Sequence, residues 1–235
     1  MDHRNSDVAQ QKYSRKGGDT RQHSAAPRSS RLELLVRWLA SMPRVFDGIR
    51  WILEGGYHGH DSVFRIEIQN TFAAELRQRV LDVGCGTGLH APRFNSDCYH
   101  GVDLSDRYIH EARRKHPTHR FDVCDARQLS FCDDFFHTVL ISGLLHHLND
   151  DDVLATLSEA QRVLAPSGSI VIWEDIPTAS SWNPVGAMIH RLDQGDWIRT
   201  PDQYRQLIEH SFGIESERKF RSGFMDYVVF HAKPK

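Results

Sequence analysis

From Arg79 onward the chain alternates between two rhythms. "RVLDVG", "YHGVDL", "HRFDVCD", "FHTVLISGLL" and "GSIVIWEDI" are apolar runs of strand length. Between them lie helical segments, among them "SDRYIHEARRKH" behind a serine cap and "DDVLATLSEAQRVL". Parallel neighbours need a crossover between them, and a sheet apolar on both sides must be covered on both sides, so this alternation predicts an α/β fold with helices on both faces of a parallel sheet. Ligands of such sheets sit beyond the carboxyl ends of the strands, where the strand order reverses. The stretch "VLDVGCGTGLH", Val80 to His90, ends the first of these strands. Its Gly84, Gly86 and Gly88 leave the backbone bare at every second residue, which predicts a small ligand lying against main-chain N–H groups. The segment "GLHAPRF" is expected to open a helix whose N-terminus favours a carboxylate.

A dinucleotide site requires G-x-G-x-x-G, but the sixth position counted from Gly84 is Leu89. The motif present is D-x-G-x-G-x-G, beginning at Asp82, and it resembles the first motif of class I S-adenosylmethionine-dependent methyltransferases, in particular their small-molecule methyltransferase domains. "GVDLS" with Asp103, "FDVCDARQLSF" with Asp125, "FHTVLISGLLHHL" and "RVLAPSGSIVIWED" follow in that family's order, so the resemblance covers Arg79 to Asp175 closely. It implies a Rossmann-like doubly wound sheet, mostly parallel with an antiparallel last strand. "FGIESERKF", the turn "RSG" and "FMDYVVFHAKP" supply the matching hairpin, and "TPDQYRQLIEHS" reads as a helix capped at Thr200 with Pro201 in its first position. The implied cofactor is S-adenosylmethionine, leaving as S-adenosylhomocysteine (SAH). The resemblance places the cofactor against Asp82, Gly84, Cys85, Gly86, Gly88 and Ser142. It also sets Asp103 on the ribose hydroxyls, Leu104 against the adenine, and Asp125 with the main chain of Ala126 on the adenine edge.

Three segments are expected. Residues 1–30 are polar and nearly free of aliphatic side chains, too few to offset the entropy of ordering, and predict a disordered tail. Residues 31–76 carry helical stripes such as Leu32, Leu35, Val36 and Leu39, broken by "GGYHGHD", and predict a helical N-terminal cap. That cap either packs on the sheet or brings Tyr57 and His58 to a substrate. Residues 77–235 form the methyltransferase domain. A formal net charge of −2 gives no bulk attraction to nucleic acid or to anionic membrane, and no apolar run reaches the roughly 18 to 20 residues a membrane span needs. The expectation is a cytoplasmic protein with a small-molecule acceptor, with neither nucleic acid nor membrane as partner. Four cysteines without C-x-x-C spacing are expected to be reduced and mostly buried, and no metal site is expected.

Methyl transfer from a sulfonium is an in-line displacement on an activated donor, so alignment and exclusion of water can carry much of the acceleration. A hydroxyl acceptor must also lose a proton, and "LLHHLND" places His147 and His146 at the crest as candidate bases. Neither the [DN]-P-P-[YF] of base-methylating enzymes nor the paired glutamates of arginine-methylating enzymes is recognisable. The long segment "EDIPTASSWNPVGAMIHRLDQGDWIRT" offers Glu174, Trp182 and Arg199 as substrate contacts, Arg199 either as an anion clamp or as a structural pair. Two other classes fit the same motifs. One is a module that binds the cofactor without catalysis; the other is an RNA methyltransferase guided by Lys12, Arg15, Lys16, Arg21 and Arg28.

Overall fold

The computed structural model describes residues 47–48, 51–52, 54–57, 63–64, 78–177 and 197–235. Seven strands form one sheet in the order β3-β2-β1-β4-β5-β7-β6. They are β1 (Val80–Val83), β2 (Tyr99–Asp103), β3 (Arg120–Val123), β4 (Phe136–Ser142), β5 (Leu164–Asp175), β6 (Phe212–Ser222) and β7 (Met225–Pro234). The first five run parallel, while β7 pairs antiparallel with both β5 and β6. The order reverses at β1, which carries β2 on one side and β4 on the other, so the crevice of a doubly wound sheet opens directly above the glycine loop.

Both faces of the sheet are covered, which is why β4, β5 and β7 read as near-continuous apolar runs. Along β4 and β5, Val139, Ile141, Ile170 and Ile172 join one core cluster with Val153 and Leu157 of helix α2 (Asp150–Val163). The alternate residues Leu140, Val171 and Trp173 join a second cluster with Val63 and Phe64 of the N-terminal segment. Val63 and Phe64 are therefore sheet cover. Helix α1 (Asp106–Lys115) starts at Ser105, whose side chain accepts from Tyr108 N, and α2 starts at Asn149, which accepts from Asp152 N. Helix α3 (Pro201–Ile208) has a full capping box between Thr200 and Gln203.

Three expectations change. "GLHAPRF" forms only a short 3-10 turn, Ala91–Arg93, with Pro92 in its opening turn, and not a helix. Pro92 brings no N–H, and the chain is already turning at Asn95, whose carbonyl accepts from both Cys98 and Tyr99. The sheet face left bare by that short crossover is filled by aromatic rings: Phe94 packs edge-on to Phe64, and the Arg93 guanidinium lies 4.5 Å from the Phe64 centroid. The strand expected over "GSIVIWEDI" starts earlier, at Leu164, because Leu164 already pairs with Phe136 before an irregularity brings Ser169 opposite Thr138. Among the four cysteines only Cys85 is buried; Cys98 and Cys124 are half-buried and Cys132 is exposed.

Candidate functional site

The three glycines of the loop are needed for different reasons. All have positive φ, at 74°, 54° and 80° for Gly84, Gly86 and Gly88, which L side chains rarely adopt. A Cβ on Gly84 would lie 3.0 Å from the Leu144 side chain, and one on Gly88 would lie 2.9 Å from both His116 and Phe121. Protein, not ligand, excludes side chains there. A Cβ on Gly86 would meet nothing within 4 Å among the described residues. Gly86 is thus the point of the loop where no described residue meets the bare backbone.

The loop's N–H groups do not form an anion cradle. Gly84 and Cys85 both donate to Val102 O, at 2.8 and 2.9 Å, and Gly88 donates to Cys85 O at 2.9 Å. Gly86 N donates to Asp103 Oδ2 at 3.0 Å, while Asp103 Oδ1 accepts from Ser105 N at 2.8 Å. Burial raises the Asp103 carboxyl above its ordinary range, and these two backbone donors pull it back. Asp82 is buried in β1, accepts from the Tyr99 hydroxyl at 2.7 Å through Oδ2, and leaves Oδ1 without a hydrogen-bond partner among the described residues. Desolvation pushes its carboxyl up to about 7 against the Tyr99 bond, and the charge of Asp103 adds to the rise. With no helix behind the loop and two carboxylates beside it, the expected helix N-terminus for a carboxylate does not exist. The electrostatics repel a pyrophosphate and suit a ligand with a cationic centre and hydroxyl donors. That is the chemistry of S-adenosylmethionine.

Along the crest, Leu104 follows Asp103 and is 68% exposed, an apolar surface available to a base. Cys85 was expected to touch the cofactor, but it lies behind the loop: its Sγ is 2.9 Å from where a Gly101 Cβ would stand and donates weakly to Gly86 O. Burial raises the Cys85 thiol well above its usual value. After β3, Asp125 is gripped by Arg127, which donates from its backbone N at 2.9 Å and from Nε and a terminal amino nitrogen at 3.0 and 2.7 Å. This pair holds the Asp125 carboxyl below its ordinary value. Ala126 packs partly buried against the main core. Ser142, at the end of β4, lies 3.2 Å from His90 Nε2.

The β4–β5 side of the crest is built differently. Leu145–His147 form a 3-10 turn whose polar backbone is held from two sides. Glu174, fully buried, accepts from Leu144 N at 2.9 Å, Leu145 N at 2.7 Å and His146 N at 3.4 Å, and from His146 Nδ1 at 2.8 Å. Arg199, 5% exposed, donates to the carbonyls of Leu145, Leu148 and Trp197 and twice to Asp150 Oδ1, while Trp197 N donates to His146 O. Glu174 and Arg199 are therefore not substrate contacts, because their hydrogen-bonding capacity is spent on the turn. His146 is likewise buried with Nδ1 on Glu174 and 3.6 Å from Asp175, which removes it as a base facing a substrate. His147 is exposed, its ring 4.1 Å from that of His146. Tyr57 lies in a 3-10 turn, Gly55–Tyr57, with its side chain outside the described residues; His58 and Trp182 lie outside them altogether.

Sequence reasoning missed Arg127, His90 and Asp47. Asp47 accepts from Thr87 Oγ1 at 2.8 Å and pairs with Lys115 at 2.5 Å, tying the N-terminal segment to the glycine loop. Only Arg127 left a signal, two positions beyond Asp125, where its side chain can fold back onto the carboxylate.

A family model described as a methyltransferase domain matches residues 80–168. The matched part of the chain is a methyltransferase domain. A malonyl-[acyl-carrier protein] O-methyltransferase of Halorhodospira halophila is 30% identical over 65% of this chain and 50% of its own length. A demethylmenaquinone methyltransferase of Streptomyces avermitilis is 34% identical over 49% of this chain and 50% of its own. The chain thus spans about half the length of these curated relatives. Among solved structures, magnesium protoporphyrin IX methyltransferase from Synechocystis PCC 6803, with bound SAH, superposes with a TM-score of 0.58 at 20% identity. That likeness covers 75% of this chain and 84% of the other and concerns the fold. No described helix is long and apolar enough to cross a membrane, and the described residues hold no cluster of metal-ligating side chains.

Proposed function

We propose that the chain transfers a methyl group from S-adenosylmethionine to an O, N or C atom of a small-molecule acceptor. One observation carries this reading: no described residue fills the space at Gly86, whose N–H rests on the Asp103 carboxylate, and the buried Asp82, close enough to feel the charge of Asp103, keeps one oxygen unpartnered among the described residues. When bound, the cofactor supplies a methyl group already activated on a sulfonium sulfur. Asp103 would exchange its bond to Gly86 N for the two ribose hydroxyls, and Leu104 would pack on the purine. Asp82 would present its unpaired Oδ1 to the amino acid end, and Ser142 would flank it from β4. The clasp of Glu174 and Arg199 fixes the turn that carries His147, whose exposed ring would receive a proton if the acceptor is a hydroxyl or an amine. The relatives whose printed names give an acyl-carrier malonyl group and a quinone support an acceptor other than nucleic acid. The free cysteines fit a reducing compartment, the cytoplasm in this reading.

Incubation of the purified protein with methyl-labelled cofactor, and separately with fractionated small metabolites and with RNA, tests the proposal by mass spectrometry. Label in a low-mass product is the expected result. Label appearing only in RNA, or only SAH binding without transfer to any fraction, would contradict it. On an identified hydroxyl or amine acceptor, His147→Gln is expected to lower turnover on the order of 100-fold with SAH affinity unchanged.

A further inference from the structure

The adenine end of the site contains a device that the motifs do not describe. Arg127 is held between two carboxylates: its Nε and one terminal nitrogen face Asp125, at 3.0 and 2.7 Å, while the other terminal nitrogen reaches Asp152 Oδ1 at 2.8 Å. Asp152 is itself fixed, since its Oδ2 accepts from Asn149 Nδ2 at 2.9 Å and its N–H caps on Asn149 Oδ1 at 3.0 Å. The loop after β3 is thereby tied to the first turn of α2, and the planar fork of Arg127 sets the plane of the Asp125 carboxylate. Asp125 Oδ1 accepts from Arg127 N and Nε, and Oδ2 accepts from the terminal nitrogen at 2.7 Å and from Nε at 3.2 Å, so the fork holds both oxygens and what is left to accept is the remaining lone pair of Oδ2.

We propose that Arg127 is a specificity-determining positioning residue: it locks Asp125 as an acceptor for the exocyclic amino group of adenine and thereby against a 6-oxo purine. The proposal rests on the assignment of Asp125 to the adenine edge. A 6-oxo base would set its carbonyl oxygen against the fixed carboxylate and its N1–H against the Ala126 main chain. Without the fork, Asp125 can turn away and the mismatch is relieved. A lysine could keep the charge but not the plane.

The test is calorimetric titration of the full chain with SAH and with its deaminated counterpart, S-inosylhomocysteine, comparing wild type, Arg127→Met, Arg127→Lys and Asp125→Asn. Wild type should prefer SAH by more than tenfold. Arg127→Met should cut that ratio to below about threefold, mainly through weaker SAH binding, and Arg127→Lys should fall between the two. A role confined to stability would weaken both ligands equally and leave the ratio at the wild-type value, and that result overturns the proposal. If Asp125→Asn binds SAH as wild type does, or if wild type binds neither ligand, the assignment of the site itself falls. If Asp125→Asn loses SAH while Arg127→Met keeps the wild-type ratio, the role of Arg127 alone falls.

Discussion

The two halves of the sheet crest hold charged residues of the same kind to opposite ends. On the β1–β2 side, among the described residues, Asp103 stands beside the unfilled space at Gly86 and rests on backbone donors that a diol can replace, while Asp82 is buried with one carboxylate oxygen unpartnered. On the β4–β5 side, Glu174 and Arg199 are spent on the amides and carbonyls of the Leu144–Leu148 turn. Both halves carry acids at strand ends. What separates a binding residue from a structural one is whether its hydrogen-bonding capacity is already used.

Removing a structural acid should therefore cost stability, and removing a binding acid should cost affinity. The largest effect is expected for Glu174→Ala, which strands three N–H groups and the His146 ring in a buried site. Destabilisation of about 3 to 5 kcal/mol in a denaturant titration is expected, and less than about 1 kcal/mol would show that the turn does not depend on the clasp.

Asp82 sharpens the contrast through pH. Its folded-state carboxyl stands at about 7, above the unfolded value, so between about pH 4 and 7 the folded protein keeps a proton that the unfolded chain has released. The stability this contributes is complete below that window and is lost as pH rises through 7. Asp82→Asn removes the dependence. The variant should be more stable than wild type at pH 8 by about 2 to 4 kcal/mol, with the advantage shrinking toward pH 4. Parallel stability curves would contradict the burial of that charge.

The glycines break the comparison at smaller scale. Gly88→Ala forces contact with His116 and Phe121 and is expected to destabilise by about 1 to 3 kcal/mol. Gly86→Ala meets no described neighbour, so thermal unfolding should report only the positive-φ strain of about 1 kcal/mol, while SAH binding is lost. Equal losses of stability at the two positions would mean that the space over Gly86 is not a ligand site.

Much of this fold was legible because it rests on local chemistry. The alternating apolar runs, the Ser105 and Thr200 caps and the hairpin around "RSG" each announce themselves within a few residues. What was hidden depends on contacts between distant segments. Nothing near Glu174 or Arg199 in sequence shows that both close on one turn from positions 28 and 54 residues away from it. The missing helix after the glycine loop was hidden too, because its cover comes from Phe64, which lies before β1. The glycine spacing did not show the separate reasons for each glycine, since protein atoms account for Gly84 and Gly88, while a Cβ on Gly86 meets no described residue.

The most direct measurement is calorimetric titration of SAH into wild type and Asp103→Ala, with thermal unfolding of both recorded without ligand. Wild type should bind, and Asp103→Ala should bind more weakly by about 1 to 3 kcal/mol, the cost of losing charge-assisted hydrogen bonds to the ribose. Unchanged affinity in Asp103→Ala, or a wild type that binds a pyrophosphate-bearing dinucleotide in preference to SAH, would contradict the account.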